Sequence, residues 1–193
     1  MPVGERLLIR PIWEQEYDAG DRAVLHLEPG LAFGSGTHDT TRLCLESLEK
    51  YAHEGKSILD VGCGSGILSI AGLLLGADSA VGVDIDALSV KTAQENGRTT
   101  GFDEPKFTVL KGSLTDKVTG KFDIIVANIV ADIIIVLCRD VKKYLNDGGV
   151  FITSGIIEPR EQDVLAAFAE NGIEVVERHE SGGWLCFEAR GKR

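Results

Sequence analysis

Two short segments carry the residues best suited to chemistry in this chain. The first is Asp60-Val-Gly-Cys-Gly-Ser-Gly66, in which glycines follow an acid at every second position, and the second is Gly82-Val-Asp-Ile-Asp86, one helix length later. Glycines let the backbone pass close to a ligand because they lack a Cβ atom. An acid at the end of the second strand, here Asp84, can accept hydrogen bonds from both hydroxyls of a ribose. The two segments therefore predict a nucleoside-binding pocket.

The placement of the acid and the glycines indicates which nucleoside is bound. A dinucleotide-binding loop has glycines at its first, third and sixth positions, but the sixth position here is Ile67. A carboxylate at the strand end, Asp60, would repel a pyrophosphate and attract an ammonium or a sulfonium. S-adenosylmethionine (SAM) carries both cations on a ribose. The pattern resembles the cofactor motifs of class I SAM-dependent methyltransferases and disfavours a dinucleotide-dependent oxidoreductase.

A parallel sheet is needed to bring these segments together. After residue 56, strand-like and helix-like patterns alternate, which predicts an α/β fold with right-handed crossovers. Ser181-Gly-Gly183 is too short for a crossover, so the last two strands should form a hairpin. We expect a class I methyltransferase, Rossmann-like sheet of seven strands, mostly parallel with one antiparallel strand, and helices on both faces. The predicted strands are Ser57–Val61, Ser79–Asp84, Lys106–Lys111, Phe122–Asn128, Val150–Gly155, Glu174–Glu180 and Trp184–Ala189, and the predicted helices are Ile67–Leu75, Ala87–Thr100, Ile133–Leu145 and Glu161–Asn171.

The first 56 residues have a different pattern. Short strands are predicted at Leu7–Pro11 and Ala23–Leu27, and an amphipathic helix at Thr40–Tyr51, capped by Thr40 or Thr41. The segment before that helix is rich in glycine and hydroxyl groups and can wrap a ligand. We interpret residues 1–56 as an N-terminal extension with a cofactor-covering loop and the first helix, and residues 57–193 as the SAM-binding core, all within one domain.

Composition and charge argue against several classes of function. With 44% apolar and 26% charged residues, the chain has the make-up of a soluble globular protein. Its formal charge of −10 argues against direct nucleic-acid binding, which normally needs a clustered basic surface, and suits a basic protein partner better. No apolar run reaches the roughly 18 to 20 residues that span a bilayer, so we expect a cytoplasmic protein that does not use a membrane. The oligomeric state is not indicated.

The cysteines and histidines lack the spacing of metal ligands. The four cysteines are far apart in the sequence and are predicted to be buried, reduced thiols: Cys44, Cys63, Cys138 and Cys186. Cys63 lies within the glycine loop, where a small side chain fits. No metal site is predicted.

The segment before the first helix is the most distinctive part of the sequence. It reads Pro29-Gly-Leu-Ala-Phe-Gly-Ser-Gly-Thr-His-Asp-Thr-Thr41. Together with the glycine loop, with Gly82-Val-Asp-Ile-Asp86 and with Ala127-Asn-Ile-Val-Ala131, it closely resembles the PrmA family. Members of that family methylate a protein of the bacterial large ribosomal subunit. The resemblance runs from about Gly4 to the C-terminus, and it implies SAM as cofactor and a basic ribosomal protein as substrate.

The resemblance also implies roles for single residues. Thr41 would contact the cofactor, Gly62 would approach it through its backbone, Asp84 would hold the ribose, and Asn128 would complete the set. From the glycine loop we add Asp60 and Gly64 as cofactor-binding residues. Two further candidates have structural alternatives: Phe33, as a cover over the cofactor or as core packing, and Ser113, as an adenine contact or as a plain turn serine.

Asn128 is the candidate catalytic residue. It ends a predicted parallel strand, where its side chain can reach the crevice above the sheet. Methyl transfer is an in-line displacement, so alignment of the nucleophile is the main task. The side-chain oxygen of Asn128 and the backbone oxygen of Ile129 could accept hydrogen bonds from an amine and aim its lone pair. An asparagine that caps the strand-to-helix turn is the alternative.

The expected methyl acceptor is an aliphatic amine. Enzymes that methylate flat, conjugated nitrogens follow their asparagine with Pro-Pro-aromatic, whereas Ile129-Val-Ala131 follows here. A lysine amine has an ordinary pKa of about 10.4 and must be neutral to react, and desolvation favours the neutral form. His38 is a candidate general base, but a histidine near a helix start is more often a hydrogen-bonded structural residue. We predict catalysis by positioning and desolvation on lysine ε-amines, with an α-amine as a further candidate.

The length of the chain is a departure from the family pattern. PrmA enzymes usually carry an N-terminal substrate-recognition domain, for which 193 residues leave no room. We therefore expect this domain to be absent from the chain.

The alternative functions are methylation of another protein or of a small amine, and SAM binding without catalysis.

Overall fold

The computed structural model describes residues 1–14, 18–27 and 38–193. Within these residues, strands and helices alternate along most of the chain. The strands are β1 Pro2–Val3, β2 Leu7–Pro11, β3 Ala23–Leu27, β4 Ser57–Val61, β5 Ser79–Asp84, β6 Phe107–Lys111, β7 Phe122–Asn128, β8 Leu145–Ile157, β9 Ile173–Ser181 and β10 Trp184–Gly191. The α-helices are α1 Asp39–Tyr51, α2 Ile67–Leu74, α3 Ala87–Thr99, α4 Ala131–Tyr144 and α5 Glu161–Glu170.

A seven-stranded sheet lies at the centre, in the order β6-β5-β4-β7-β8-β10-β9. Strands β4 to β8 all run parallel to one another, and β10 is antiparallel to both β8 and β9. This confirms the predicted sheet and its single antiparallel strand. The chain builds outward from β4 to β6 and then returns to β7 on the other side of β4. In such sheets a crevice opens at the carboxyl ends of the strands where the order reverses.

Helices cover both faces of this sheet. Along β4, Ile58 packs with the cluster formed by α1, α2 and α3, and the next residue, Leu59, packs with the cluster formed by α4 and α5. Successive side chains of a strand point to opposite faces, so a strand buried on both sides has apolar residues throughout. The helices on both faces are thereby held at fixed positions above the strand ends.

The N-terminal strands form a second, three-stranded sheet that shares the core of the first. β2 pairs in parallel with β3, and β1 pairs antiparallel with β2. Leu7 and Leu25 are fully buried in the same apolar cluster as α1 and α2. The division at residue 56 stays a prediction.

The predicted elements differ from the observed ones mainly at their ends. α1 begins at Asp39 and is capped by His38, so the expected cap at Thr40 or Thr41 is wrong: both threonines lie inside the first turn. α4 begins at Ala131, two residues earlier than predicted. β8 extends over Leu145–Ile157 because it pairs with β7 along one edge and β10 along the other. No helix in the described part of the chain is long and apolar enough to cross a membrane.

Candidate active site

A cavity of about 870 Å³ opens at the carboxyl ends of β4, β5 and β7. These three strands are adjacent in the sheet, so the residues that follow them meet at one edge. The cavity wall includes Asp60, Gly62, Gly64, Asp84 and Asn128. Thr41 and Ser113 also line it, whereas Phe33 lies outside the described residues.

The glycine loop folds back over the end of β5. The backbone N–H groups of Gly62 and Cys63 both donate to the carbonyl oxygen of Val83, at 2.8 and 3.0 Å. Gly62 has a φ of +71°, and a Cβ atom there would lie 2.6 Å from Cγ2 of Ile129. Glycine is thus required at this position both by the backbone conformation and by the close approach of the loop after β7.

Asp84, the last residue of β5, binds the glycine loop through a hydrogen bond. Its Oδ2 accepts a hydrogen bond from the Gly64 N–H at 2.9 Å, and its Oδ1 accepts one from the Asp86 N–H at 2.9 Å. Each carboxylate oxygen can accept a second hydrogen bond. The helix that follows is capped by Asp86 and not by Asp84, because Asp86 accepts hydrogen bonds from the N–H groups of Leu88 and Ser89. Asp84 therefore keeps acceptor capacity suited to a pair of hydroxyls.

Asp60 lies deeper, beneath the loop. Its carboxyl group is buried, and Ser69 of α2 donates to Oδ2 from both its N–H and its hydroxyl, at 3.2 and 2.8 Å. Burial raises the pKa of Asp60 to about 7, the Ser69 hydrogen bonds lower it in part, and the nearby Asp84 raises it further. Asp60 is thus a buried carboxyl group at the cavity wall whose charge is poorly compensated.

Helix α1 supplies the opposite wall. His38 caps the helix, since its Nδ1 accepts from the Thr40 N–H at 3.3 Å and lies 2.9 Å from the Thr40 hydroxyl. The Nδ1 atom therefore has a structural role. Thr41 is buried one residue further, and its Oγ1 accepts a hydrogen bond from Nδ2 of Asn128 at 3.2 Å.

This contact orients the Asn128 amide. Because Nδ2 points to Thr41, the acceptor oxygen Oδ1 is left for another donor. The following residue is held by β8, since the Ile129 N–H donates to the carbonyl oxygen of Ser154 at 3.2 Å. Two candidate acceptors, Oδ1 of Asn128 and the carbonyl oxygen of Ile129, are thereby placed in one rigid turn beside the cavity.

Gly155 and Trp184 are among the residues of this site that the sequence analysis missed. Gly155 of β8 has a φ of +87°, and a Cβ there would lie 2.4 Å from the Ile129 carbonyl oxygen. Trp184 also lines the cavity, with its ring 5.1 Å from that of His38 in an edge-on arrangement. A signal for Trp184 was present: the antiparallel strand β10 must begin at the edge where the parallel strand β8 ends.

The remaining candidates lie as follows. Ser113 lines the cavity and also forms a turn, because its carbonyl oxygen accepts from the Asp116 N–H at 3.1 Å. All four cysteines are buried free thiols. Burial raises the pKa of the Cys63 thiol far above its ordinary value, which favours the neutral thiol over the nucleophilic thiolate.

The donor set fits SAM better than a polyphosphate nucleotide. Among the described residues that line the cavity there is no lysine or arginine, and Asp60 and Asp84 supply negative charge. Apolar side chains complete the wall, including Ile85, Leu88, Val130 and Ile133. Such a cavity suits a flat, uncharged base, a pair of ribose hydroxyls and a cation, and it would disfavour a pyrophosphate.

Comparisons with known proteins agree with this geometry. The sequence model of the ribosomal protein L11 methyltransferase (PrmA) family matches residues 1–192. Ribosomal protein L11 methyltransferases of Clostridium botulinum (strain Alaska E43 / Type E3) and Clostridium perfringens (strain 13 / Type A) are each 46% identical over 188 residues, which is 97% of this chain and 59% of the relative. The crystal structure of a ribosomal protein L11 methylase from Lactobacillus delbrueckii subsp. bulgaricus has a TM-score of 0.93 and 35% identity, and covers 100% of this chain and 98% of that one.

The curated relatives are longer than this chain. The chain spans 59% of the length of the two clostridial proteins. The match to the Lactobacillus structure, by contrast, includes nearly all of both chains.

Proposed function

The chain belongs to the ribosomal protein L11 methyltransferase (PrmA) family, and from this membership we propose that it is a SAM-dependent protein N-methyltransferase acting on amines of ribosomal protein L11. Lysine ε-amines are the proposed acceptors, with an α-amine as a further candidate. The observation that carries the proposal is the hydrogen bond between Asn128 and Thr41, which leaves an oriented acceptor beside a cavity suited to SAM. A ribosomal protein substrate would place the activity in the cytoplasm.

The proposed cofactor contacts follow from the positions of the residues around the cavity. Asp84 would accept the ribose hydroxyls, Gly62 and Gly64 would let the loop lie against the nucleoside, and Ser113 would reach the base. Thr41 and Asp60 would face the aminoacyl end. When bound, SAM supplies a methyl group on a positively charged sulfur. Phe33 is proposed as a cover over the cofactor because it lies in the glycine-rich segment that precedes α1.

The protein's own contribution to catalysis is positioning and exclusion of water. Oδ1 of Asn128 would accept a hydrogen bond from the incoming amine, and the Ile129 carbonyl oxygen is the second candidate acceptor. Two such bonds fix the direction of the nitrogen lone pair, which is the main requirement of an in-line displacement. Apolar groups such as Val130 and Trp184 would surround the methylene stem of a lysine and disfavour its charged form.

The charge of the chain supports a basic protein partner. The formal net charge is −10. Opposite charges on two partners speed their association and favour the correct partner, with an effect that weakens as salt is added. A basic ribosomal protein therefore suits this surface.

The decisive experiment combines Asn128→Ala with measurement of both binding and turnover. Transfer of radiolabel from SAM to purified ribosomal protein L11 should fall about 100-fold, because misaligned reactants lose roughly that factor. Affinity for S-adenosylhomocysteine, measured by calorimetry, should stay within about threefold, since Asn128 is proposed to act on the amine. Asn146→Ala is the matched control, because this asparagine bonds to Asp123 at the other end of β8 and should leave both quantities unchanged.

Each alternative function has its own outcome. Turnover that survives Asn128→Ala would remove the catalytic assignment. Incorporation into another basic protein or into free lysine, but not into L11, would indicate a different substrate. Tight binding of S-adenosylhomocysteine with no transfer to any of these acceptors would favour a SAM-binding module without catalysis.

A further inference from the structure

A second cavity, of about 570 Å³, carries a concentration of positive charge. Its wall includes four basic side chains: Lys142 near the end of α4, Arg190 near the end of β10, and Lys192 and Arg193 directly after that strand. Asp147 is the one acidic side chain among the described residues that line it. We call this site the basic cavity. It is set in a chain whose formal net charge is −10.

The four cations of the basic cavity are not paired with carboxylates. In the part of the chain that the structure describes, the ion pairs of lysine and arginine use other residues, among them Arg42, Lys50 and Arg160. Glu174 is the register partner of Arg190 on β9 but forms no ion pair with it. Like charges that converge without a counter-charge repel one another, and an anion relieves this repulsion. The arrangement therefore favours an anionic ligand.

Backbone contacts hold one of these cations in place. The side chain of Lys142 lies across two glycines: a Cβ atom at Gly172 would be 3.1 Å from its Nζ, and one at Gly191 would be 3.6 Å from its Cγ. The Lys192 N–H donates to the carbonyl oxygen of Gly172 at 2.8 Å, which joins the end of β10 to the start of β9. The ammonium of Lys142 is thereby placed at the junction that Lys192 and Arg193 follow.

The shape of the cluster favours an extended anion over a single small one. The cations come from two distant parts of the sequence, and all four side chains are exposed. Sites for one small anion typically direct a group of backbone N–H donors at it. Exposed lysines and arginines, by contrast, neutralise successive phosphates along a nucleic-acid backbone. A flexible single strand can follow such a surface.

We infer that the basic cavity binds the phosphate backbone of a single-stranded nucleic acid. The net charge of the chain does not reveal this site, because only the fold brings Lys142 to Arg190, Lys192 and Arg193. This inference goes beyond the proposed function and does not depend on it.

The position of the basic cavity leaves the candidate active site open. Its wall includes Leu145 and Asn146, which begin β8. Because β8 runs parallel to β7, the start of β8 lies at the end of the sheet opposite Asn128, the last residue of β7. A strand bound in the basic cavity would therefore not block access of a methyl acceptor to Asn128.

Fluorescence anisotropy with labelled oligonucleotides tests the inference. An oligouridylate of about 16 nucleotides should bind the chain saturably at about 50 mM salt. Affinity should fall about 50-fold between about 50 and about 200 mM salt, as expected when four phosphates of a single strand are neutralised. An oligodeoxythymidylate of the same length should bind within about threefold, because the contacts are to phosphates and not to bases.

Two double variants separate the basic cavity from the charge of the whole chain. Lys142→Ala/Lys192→Ala should weaken RNA binding about tenfold and reduce the slope of log affinity against log salt by about 1.4, which is about 0.7 for each lost phosphate contact. Lys91→Ala/Lys106→Ala is the matched control. It removes the same charge from α3 and from the residue before β6, at the opposite edge of the sheet from β9, and should change affinity less than about twofold.

Asp147→Asn tests the sign of the effect. Loss of the acid that lines the basic cavity should raise RNA affinity about twofold. Affinity for S-adenosylhomocysteine should be the same in the wild type and in all of these variants, which also shows that each variant is folded.

Several outcomes would overturn the inference. These are no saturable binding of either oligonucleotide at low salt, and equal losses of affinity in the two double variants. Full displacement of the RNA by millimolar inorganic phosphate would indicate a site for one small anion instead. Binding to vesicles that contain phosphatidylserine, with none to RNA, would indicate a membrane surface. Each of these outcomes leaves the proposed function intact, because methyl transfer and binding of S-adenosylhomocysteine are measured separately.

Discussion

Two fully buried carboxyl groups on one sheet have opposite surroundings. Among the described residues, Asp60 in the cavity has only Ser69 as a donor. Glu188 on β10 has three donors: Nζ of Lys50 at 2.8 Å, the Tyr51 hydroxyl at 2.6 Å and Nε2 of His179 at 2.8 Å. Helix α1 connects the two regions, because it begins at the cavity with His38 as its cap and ends with Lys50 and Tyr51.

Equal burial is therefore accompanied by opposite shifts of the two pKa values. Burial raises the pKa of Asp60 to about 7. Burial also raises the pKa of Glu188, but the hydrogen bonds from Lys50, Tyr51 and His179 outweigh it and lower that pKa to about 2. The Glu188 cluster is complete within the protein, with the ammonium of Lys50 beside both Glu188 and Glu177. Among the described residues, none supplies a positive charge to Asp60.

The largest effect that tests this contrast is expected from Asp60→Asn. The folded pKa of Asp60 lies above its unfolded value of 3.8, so its contribution to stability is fully present below pH 3.8 and is lost as pH rises through about 7. The amide cannot ionise and should keep the Ser69 contacts. Urea unfolding of the ligand-free chain at pH 8 should show a gain of up to about 4 kcal/mol, with a smaller gain at pH 5. Equal or lower stability of the variant at pH 8 would show that Asp60 already has a partner.

Glu188→Gln should have the opposite sign. The folded pKa of Glu188 is depressed, so its contribution is present above about pH 4.5 and is lost as pH falls toward 2. At pH 7 the variant should lose about 3 kcal/mol of unfolding free energy in the same urea assay. Glu180→Gln is the control, because Glu180 and Arg178 form a partly exposed surface ion pair, and such pairs contribute little to stability. Affinity for S-adenosylhomocysteine should stay within about threefold, and a large loss of affinity would mean that the cluster and the cavity are one unit.

Gly155→Ala tests the part of the cavity that backbone contacts build. Its φ is +87°, and the added Cβ would meet the Ile129 carbonyl oxygen at 2.4 Å. Gly120→Ala is the matched control, since its φ is +84° and no heavy atom lies within 4 Å of the added Cβ. The left-handed backbone costs each variant about 1 to 2 kcal/mol. Only Gly155→Ala should also slow methyl transfer, by about tenfold, and equal turnover in the two variants would argue against a role for the Ile129 carbonyl position.

Most of the fold was predictable because its determinants are local. Periodicity of apolar residues located the strands of the central sheet, and Ser181-Gly-Gly183 indicated the antiparallel hairpin. The ends of elements were less predictable. His38 caps α1 because its ring nitrogen accepts a hydrogen bond from the Thr40 N–H. Several polar residues lie near the start of this helix, and the sequence pattern does not distinguish which of them is the cap.

The candidate site divides in the same way. The identity of the acids and glycines, and their placement at strand ends, was determined by the sequence, because the carboxyl ends of parallel strands must share one edge. Tertiary structure alone decided that Asn128 donates to Thr41, 87 positions earlier in the chain, and that Gly155 lies against Ile129. It also decided the difference between Asp60 and Glu188. The sequence determines that a carboxyl group is present at each position. The charge of that group depends on the hydrogen-bond donors that the tertiary structure packs around it.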